Sequence, residues 1–243
     1  MIYLGMPLHS IHGATPAAFH AFERPSRRLQ VRAEMLVNSS LVHCFTSLWC
    51  GALNLGCEYF AMLHGDVEPQ PGWLDVLLGE MDRHTADCIS AVAPLKDDRG
   101  CTSTAIDDPD NPWLPLRRLT MTDVFDLPET FSAADCGHPD NALLVNTGCF
   151  LVRMDALPAD FVFEQRVRKV CSGGQWSSQL QPEDWIMSRT LHRLGRRVLA
   201  TRKVALTHRG DFGYPNDRVW GEPIDRESEA VHANADLSLP AAV

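Results

Sequence analysis

The 243-residue sequence contains no apolar run approaching the ~20 residues that cross a bilayer. Its opening, Met1 to Pro7, has neither a basic stretch nor a small-residue cleavage pattern, so no secretion signal and a cytoplasmic location are expected. A basic excess is missing too: 22 Lys and Arg stand against 31 Asp and Glu, for a net charge of −9. A non-specific duplex binder takes its affinity from cations that displace counterions at phosphates, so this balance disfavours a nucleic-acid partner. The eight cysteines include no Cys-x-x-Cys pair, which argues against structural zinc. Several, such as Cys88 in the run Cys88 to Val92, sit in apolar segments and read as small buried hydrophobes in a reducing compartment. Also absent is the Gly-x-Gly-x-x-Gly turn of a dinucleotide-binding fold, which sets aside a Rossmann dehydrogenase.

What is present has the composition of an ordinary globular protein, 45% hydrophobic and 22% charged. Ile2 to Met6 is a β-rich run that Pro7 is expected to stop, opening a loop from Pro7 to Gly13. Thr15 caps a helix and Pro16 begins it. Leu29 to Leu36 alternates like a strand. Ser39-Ser40 precede a helix whose Leu41, Phe45, Leu48, Trp49, Ala52 and Leu53 recur at three- and four-residue spacing, and Gly56 ends it. Tyr59 to Leu63 is continuously apolar, too short for a helix and right for a buried central strand. Pro71 opens a further helix, and Cys88 to Pro94 is the next strand. This alternation predicts an α/β protein with a mostly parallel central sheet flanked by helices.

Between Lys96 and Asn141, Asp, Pro and Gly are dense and periodicity fades, which predicts a loop-rich region with short strands of the kind that shapes an acceptor site. Leu143 to Val145 and Cys149 to Val152 restore the strand signal around Asn146-Thr147-Gly148. Pro182 to Leu194 reads as a helix closed by Gly195, and Val198 to Leu206 as a final strand running into Thr207-His208. From His232 onward the chain is small, apolar and weakly patterned, as in a frayed tail.

Three groups of residues can do chemistry. Asp66-Val67-Glu68 follows directly on the best buried strand, and ligands of open α/β sheets bind at the carboxyl ends of strands. Two carboxylates spaced i, i+2 can meet one hard divalent cation from the same side, although acids before a helix also form plain polar turns. Glu183-Asp184 opens a helix, where acids cap favourably, and a carboxylate there can also take a proton from a hydroxyl. His208 ends the last expected strand, and neutral imidazole is a competent ligand for Mn²⁺.

Taken in order, these stretches resemble the GT-A glycosyltransferases. The likeness rests on Tyr59 to Pro69 with Pro71-Gly72-Trp73-Leu74, then Asn146 to Val152, Pro182 to Trp185, and Val204 to Gly210, and it spans about residues 1–215. It implies a GT-A, Rossmann-like domain over residues 1–220, with a nucleotide-binding half (1–95), an acceptor half (96–220) and a tail from 221 to 243. It further implies metal-dependent transfer of a sugar from a nucleoside-diphosphate sugar to a hydroxyl acceptor. Asp66, Glu68 and His208 would hold Mn²⁺ or Mg²⁺, the second acid being Glu where the usual motif is Asp-x-Asp. Pro7, Leu8 and His9 would touch the nucleoside, with Asp66 also on the donor side. Gly148 would admit the donor sugar or acceptor, Trp185 would lie under a sugar face, and Glu183 or Asp184 would face the acceptor, Asp184 as the base of an inverting reaction. The acceptor stays open among glycan, lipid-linked sugar, protein, small molecule and, with least support, a modified DNA base. The alternatives are a nucleotidyltransferase that makes a nucleotide sugar, which wants a basic glycine-rich loop where Pro7 to Gly13 has one glycine and no Lys or Arg, and a non-catalytic carbohydrate-binding module.

Overall fold

The computed structural model describes residues 1–26 and 29–221, so the expected tail, apart from Gly221, lies outside the described residues. The first half of the chain runs β1 (Ile2–Leu8), α1 (Pro16–Glu23), β2 (Val31–Val37), α2 (Leu41–Asn54), β3 (Tyr59–Leu63), β4 (Val67–Pro69), α3 (Trp73–His84) and β5 (Cys88–Ala91). It continues through β6 (Cys101–Ile106), β7 (Arg117–Thr120), α4 (Met121–Asp126), β8 (Thr130–Phe131), β9 (Leu143–Leu144) and β10 (Cys149–Arg153). The last elements are β11 (Arg166–Ser172), β12 (Gln175–Gln181), α5 (Glu183–Arg193), β13 (Val198–Thr201), β14 (Leu206–Arg209) and β15 (Gly213–Pro215).

Seven strands form the central sheet in the order β2-β1-β3-β10-β5-β13-β8, drawing on both halves of the chain. β1, β2 and β3 run parallel to one another, as β13 does to β5. β10 is antiparallel to both β3 and β5, and β8 is antiparallel to β13. The sheet is therefore mixed, and the topology gives the reason. After β5 the chain leaves at the carboxyl edge, adds β8 at the far side of the sheet beside β13, and re-enters at the carboxyl edge as β10, which must therefore run the opposite way to β5. The excursion builds one small sheet, β7-β6-β9, while β4 and the C-terminal strands form another, β15-β14-β4.

The alternation of side chains dictates what covers each face. Tyr3, Phe60, Met62, Phe150 and Val152 point to one face, packed under Phe45, Leu48 and Trp49 of α2 and Met187 and Leu191 of α5. Ile2, Leu4, Met6, Ala61, Leu63 and Leu151 point to the other, under Ala18 and Phe22 of α1 and Trp73, Leu77 and Met81 of α3. The caps follow the sequence. Thr15 Oγ1 accepts from the Ala18 amide at 3.1 Å, and Ser40 Oγ accepts from the His43 amide at 3.5 Å.

Several boundaries differ from expectation; the strand expected over Cys88 to Pro94, for one, ends at Ala91. β1 runs through Pro7 to Leu8, because its ladder with β3 stops at Gly5 and only β2 flanks Pro7, which leaves a missing N–H tolerable. Val198 to Leu206 is not one strand: β13 stays in the central sheet, residues 202–205 turn, and β14 pairs with β4 and β15. Within the loop-rich region, α4 was not foreseen. It is fixed by a capping box in which Thr120 Oγ1 accepts from the Asp123 amide (3.1 Å) and Asp123 Oδ2 accepts from the Thr120 amide (2.8 Å).

Candidate functional site

The carboxyl ends of β1 and β3 meet the small β15-β14-β4 sheet at Gly65-Asp66. Antiparallel pairing sets His208 opposite Val67 and Thr207 opposite Glu68, and the Arg209 amide donates to the Asp66 carbonyl at 2.7 Å. That register carries His208 Nε2 to 3.7 Å from Asp66 Oδ2, while Lys96, from the segment after β5, ion-pairs with the same carboxylate oxygen. His208 Nδ1 lies 2.7 Å from the Pro94 carbonyl oxygen. A carbonyl only accepts, so Nδ1 carries the proton, and in the neutral ring the Nε2 lone pair faces Asp66.

Glu68 does not join them. Arg209 holds its Oε2 with Nε at 2.9 Å and Nη2 at 2.8 Å. Of the expected ligand set Asp66, Glu68 and His208, the fold brings together Asp66 and His208 and commits Glu68 to a guanidinium. Among the described residues no group of three or more His, Cys, Asp or Glu side chains converges in a way that could hold a metal ion. In this arrangement Asp66 and His208 face each other and Glu68 is engaged by Arg209.

The electrostatics follow the partners. Burial by itself would raise Asp66, but a hydrogen bond from His208, which Nε2 donates when the ring is protonated, and one from the Lys96 ammonium outweigh it and hold the carboxyl well below the usual range. Glu68 is lowered in the same way, Arg209 and Thr15 overcoming its burial. His64 packs its ring 5.2 Å from that of Phe45 and has a buried Nε2 with no hydrogen-bond partner among the described residues. Burial lowers its pKa to about 4 despite the nearby Asp66 charge, so the ring is neutral at pH 7.

Residues 146–148 connect this corner to the start of α5. Asn146 Oδ1 accepts from the amides of Gly148 (3.0 Å) and Cys149 (3.3 Å), its Nδ2 donates to the Ala91 carbonyl (2.7 Å), and the His64 amide donates to the Gly148 carbonyl (2.8 Å). Gly148 is buried, and a Cβ there would meet Asn146 Oδ1 at 3.3 Å and Val67 Cγ2 at 3.4 Å. Its missing side chain is thus used for packing within the protein. Thr147 Oγ1 donates to Glu183 Oε1 at 3.4 Å and Gln165 Nε2 to Glu183 Oε2 at 2.8 Å, which leaves Glu183 buried and engaged. Asp184 accepts at Oδ1 from the Trp185 amide at 2.7 Å, and burial, reinforced by the Glu183 charge, pushes its pKa above the usual carboxylate range. Trp185 offers no sugar platform. It is buried with Ala105, Ala142 and Leu144, and Arg118 and Arg189 stand 5.4 and 5.8 Å from its ring centre.

Pro7 and Leu8, expected to touch a nucleoside, are buried strand residues, with Leu8 in the core; His9 is the first exposed residue after them. The segment that follows is seated on Gly65. The Thr15 amide donates to the Gly65 carbonyl at 2.7 Å, and a Cβ on Gly65 would stand 2.7 Å from Leu8 Cδ2 and 2.8 Å from the Gly13 carbonyl oxygen. Gly65→Ala is expected to cost about 2 kcal/mol of overpacking, a fall in melting temperature of about 4–8 °C. Calorimetry checks this, and an unchanged melting temperature would mean that the 9–14 segment is not held there.

Lys96, Arg209, His64 and Asn146 were given no role from the sequence. His64 had a local signal, two residues before Asp66 at the end of a buried strand. Lys96 and Arg209 had none, since their partners are 30 and 141 residues away. No family model matches the sequence, and no curated protein matches it. Among solved structures, HddC from Yersinia pseudotuberculosis aligns at 11% identity over 68% of this chain and 84% of that one, with a TM-score of 0.32, a likeness too slight to build on. A197 from STIV aligns at 12% identity over 93% of this chain and 95% of that one with a TM-score of 0.53, so this chain is similar to A197 in fold across nearly its whole length.

Proposed function

We propose that the protein transfers a sugar from a nucleoside-diphosphate sugar to a hydroxyl acceptor, in a GT-A type of fold. The observation that carries this reading is the corner at the carboxyl edge of the sheet. There Asp66, His208 and Lys96 meet beside the Glu68–Arg209 pair, and the buried 146–148 segment reaches Glu183, the neighbour of Asp184, a carboxyl with a raised pKa. Departure of a nucleoside diphosphate builds charge on phosphate oxygens, and stabilising that charge is the main electrostatic task of such a site. Asp184 is the residue suited to take the acceptor proton, because Glu183 is already held by Thr147 and Gln165.

Mn²⁺ or Mg²⁺ fits this site only as an ion shared with substrate. Asp66 and the Nε2 lone pair of His208 are the residues that would hold it, the diphosphate and water completing the shell, in keeping with how Mg²⁺ is bound by one or two carboxylates plus phosphates. Such an ion would supply Lewis-acid stabilisation of the leaving diphosphate. A second reading is favoured by the two cations: Lys96 and Arg209 already sit on Asp66 and Glu68 and can meet the diphosphate themselves.

A panel of UDP-, GDP- and CDP-sugars, incubated with Mn²⁺ or with chelator, tests both. Release of nucleoside diphosphate that depends on Mn²⁺ is expected from the first reading. Equal release in chelator assigns the charge to Lys96 and Arg209, and no release from any donor points to a carbohydrate-binding module.

A further inference from the structure

Outside the central sheet, β11 and β12 form a two-stranded hairpin of seven facing pairs, from Arg166–Gln181 to Ser172–Gln175, turned by Gly173-Gly174 with positive φ at both. A two-stranded ribbon alone is marginal in water, so one face must be supported. That support is visible: Arg168 lies 4.5 Å from the centre of the Trp113 ring, and Gln181 Nε2 donates to the Pro112 carbonyl at 2.7 Å. The other face carries Val167 paired with Leu180, Lys169 with Ser178, and Cys171 with Trp176. Val167 is 68% exposed, Leu180 47% and Trp176 71%. Of the hairpin's three cations, Arg166 pairs with Glu164 and Arg168 lies on the Trp113 face, so Lys169 is the cation of the exposed face, which carries no acid.

We propose that this face docks on an anionic lipid bilayer. An aliphatic cross-strand pair offers nothing to a phosphodiester or a base, but it gains from leaving water at an acyl boundary. Trp is suited to the headgroup level, and Lys169, 5.4 Å from the Trp176 ring centre, can reach anionic headgroups while its stem stays on apolar surface. A face that carries a cation and no acid is what a negative leaflet attracts. Depth is bounded by the backbone: the outer edges of a two-stranded ribbon carry unpaired N–H and C=O groups, which hydrocarbon cannot satisfy, so the hairpin lies in the headgroup boundary and does not span. This contact needs no membrane-crossing helix, and among the described residues no helix is long and apolar enough to be one.

The test is co-sedimentation of the full chain with vesicles of phosphatidylglycerol and phosphatidylcholine, compared with phosphatidylcholine alone, at low and high salt. No sugar donor is present, so the result is independent of the proposed activity. Binding is expected with the anionic vesicles, weakened by salt, and lowered at least about fivefold in the double variant Trp176→Ser/Leu180→Ser. Both positions are exposed, and circular dichroism checks that the variant is folded. Leu55→Ser, at an exposed residue just past α2, should sediment like the parent. Three outcomes overturn the proposal: no binding to anionic vesicles at low salt, equal binding to both vesicle types, or a double variant that sediments like the parent. Retention on single-stranded oligonucleotide without vesicle binding would overturn it in favour of nucleic acid.

Discussion

Asp66→Ala is expected to reduce release of nucleoside diphosphate about 100- to 1000-fold, while moving the melting temperature by less than about 4 °C. The first figure is the loss seen when one preorganised group that stabilises developing charge is removed, about 2.7–4 kcal/mol of barrier. Asp66 faces both His208 and Lys96, so its loss unmakes the corner and not a single contact. The second figure follows from exposure. The Asp66 and Lys96 side chains are 37% and 36% accessible, and pairs so open to water contribute about 0–1 kcal/mol. The pH dependence has a definite sign. Asp66 is held below its ordinary pKa, so its contribution to stability is present above about pH 4 and is lost as pH falls toward the folded value. Parent and variant should therefore differ most near neutrality and converge in acid. Steady-state kinetics on the responding donor, with melting curves from pH 3 to 8, measure both parts. Parent-like turnover in the variant would remove Asp66 from the site.

Much of the architecture was legible because it is written in local pattern. Tyr59 to Leu63 is continuously apolar because it is covered on both faces, and Thr15-Pro16 and Ser40 mark helix starts through hydrogen bonds spanning three residues. What could not be read depends on long-range placement. Nothing in Cys149 to Arg153 says that the strand runs backwards, since direction is set by the edge from which the chain returns. The break between β13 and β14 falls at Arg202-Lys203, where the segment has no Gly, Pro, Asn or Asp to mark a turn. The β11–β12 hairpin did have a signal, Gly173-Gly174 between two runs of strand-like residues, but its polar, half-exposed faces lack the strict alternation that marks a strand packed on a core.

The site divides along the same line. Asp66, His208 and Asp184 stand out in the sequence because each lies at the end of a strand or the start of a helix, where open α/β sheets present ligands. The partners that decide the chemistry of those groups do not. Arg209 lies two residues from Glu68's cross-strand neighbour Thr207 and captures the Glu68 carboxylate, turning an expected metal ligand into half of an ion pair. Pro94 fixes the His208 tautomer from the segment after β5.

Asp184→Asn is expected to lower turnover about 100- to 10,000-fold, the range for a lost general base, and to stabilise the fold as it does so. The side chains are nearly isosteric, and the introduced carboxamide can still accept from the Trp185 amide through its carbonyl oxygen. The carboxyl is part-buried beside Glu183 and holds its proton more tightly in the native state than in the unfolded chain, where Asp titrates near 3.9. Native stability is then fully present below that value and declines as pH rises toward the folded pKa, because ionising Asp184 costs more in the fold than in water. Asparagine imitates the protonated form and escapes the decline. The variant should match the parent near pH 4 and exceed it increasingly toward pH 8. In a chain of this size each kcal/mol appears as about 2–4 °C in melting temperature. In the parent, the acid limb of the turnover profile should lie above the ordinary carboxylate range, since the base acts only when ionised. A stability difference that does not change with pH, or a variant that turns over donor like the parent, would mean that Asp184 caps α5 and nothing more. The two effects together separate the roles: a cap would lose stability when neutralised, whereas a base held in a costly place gains it.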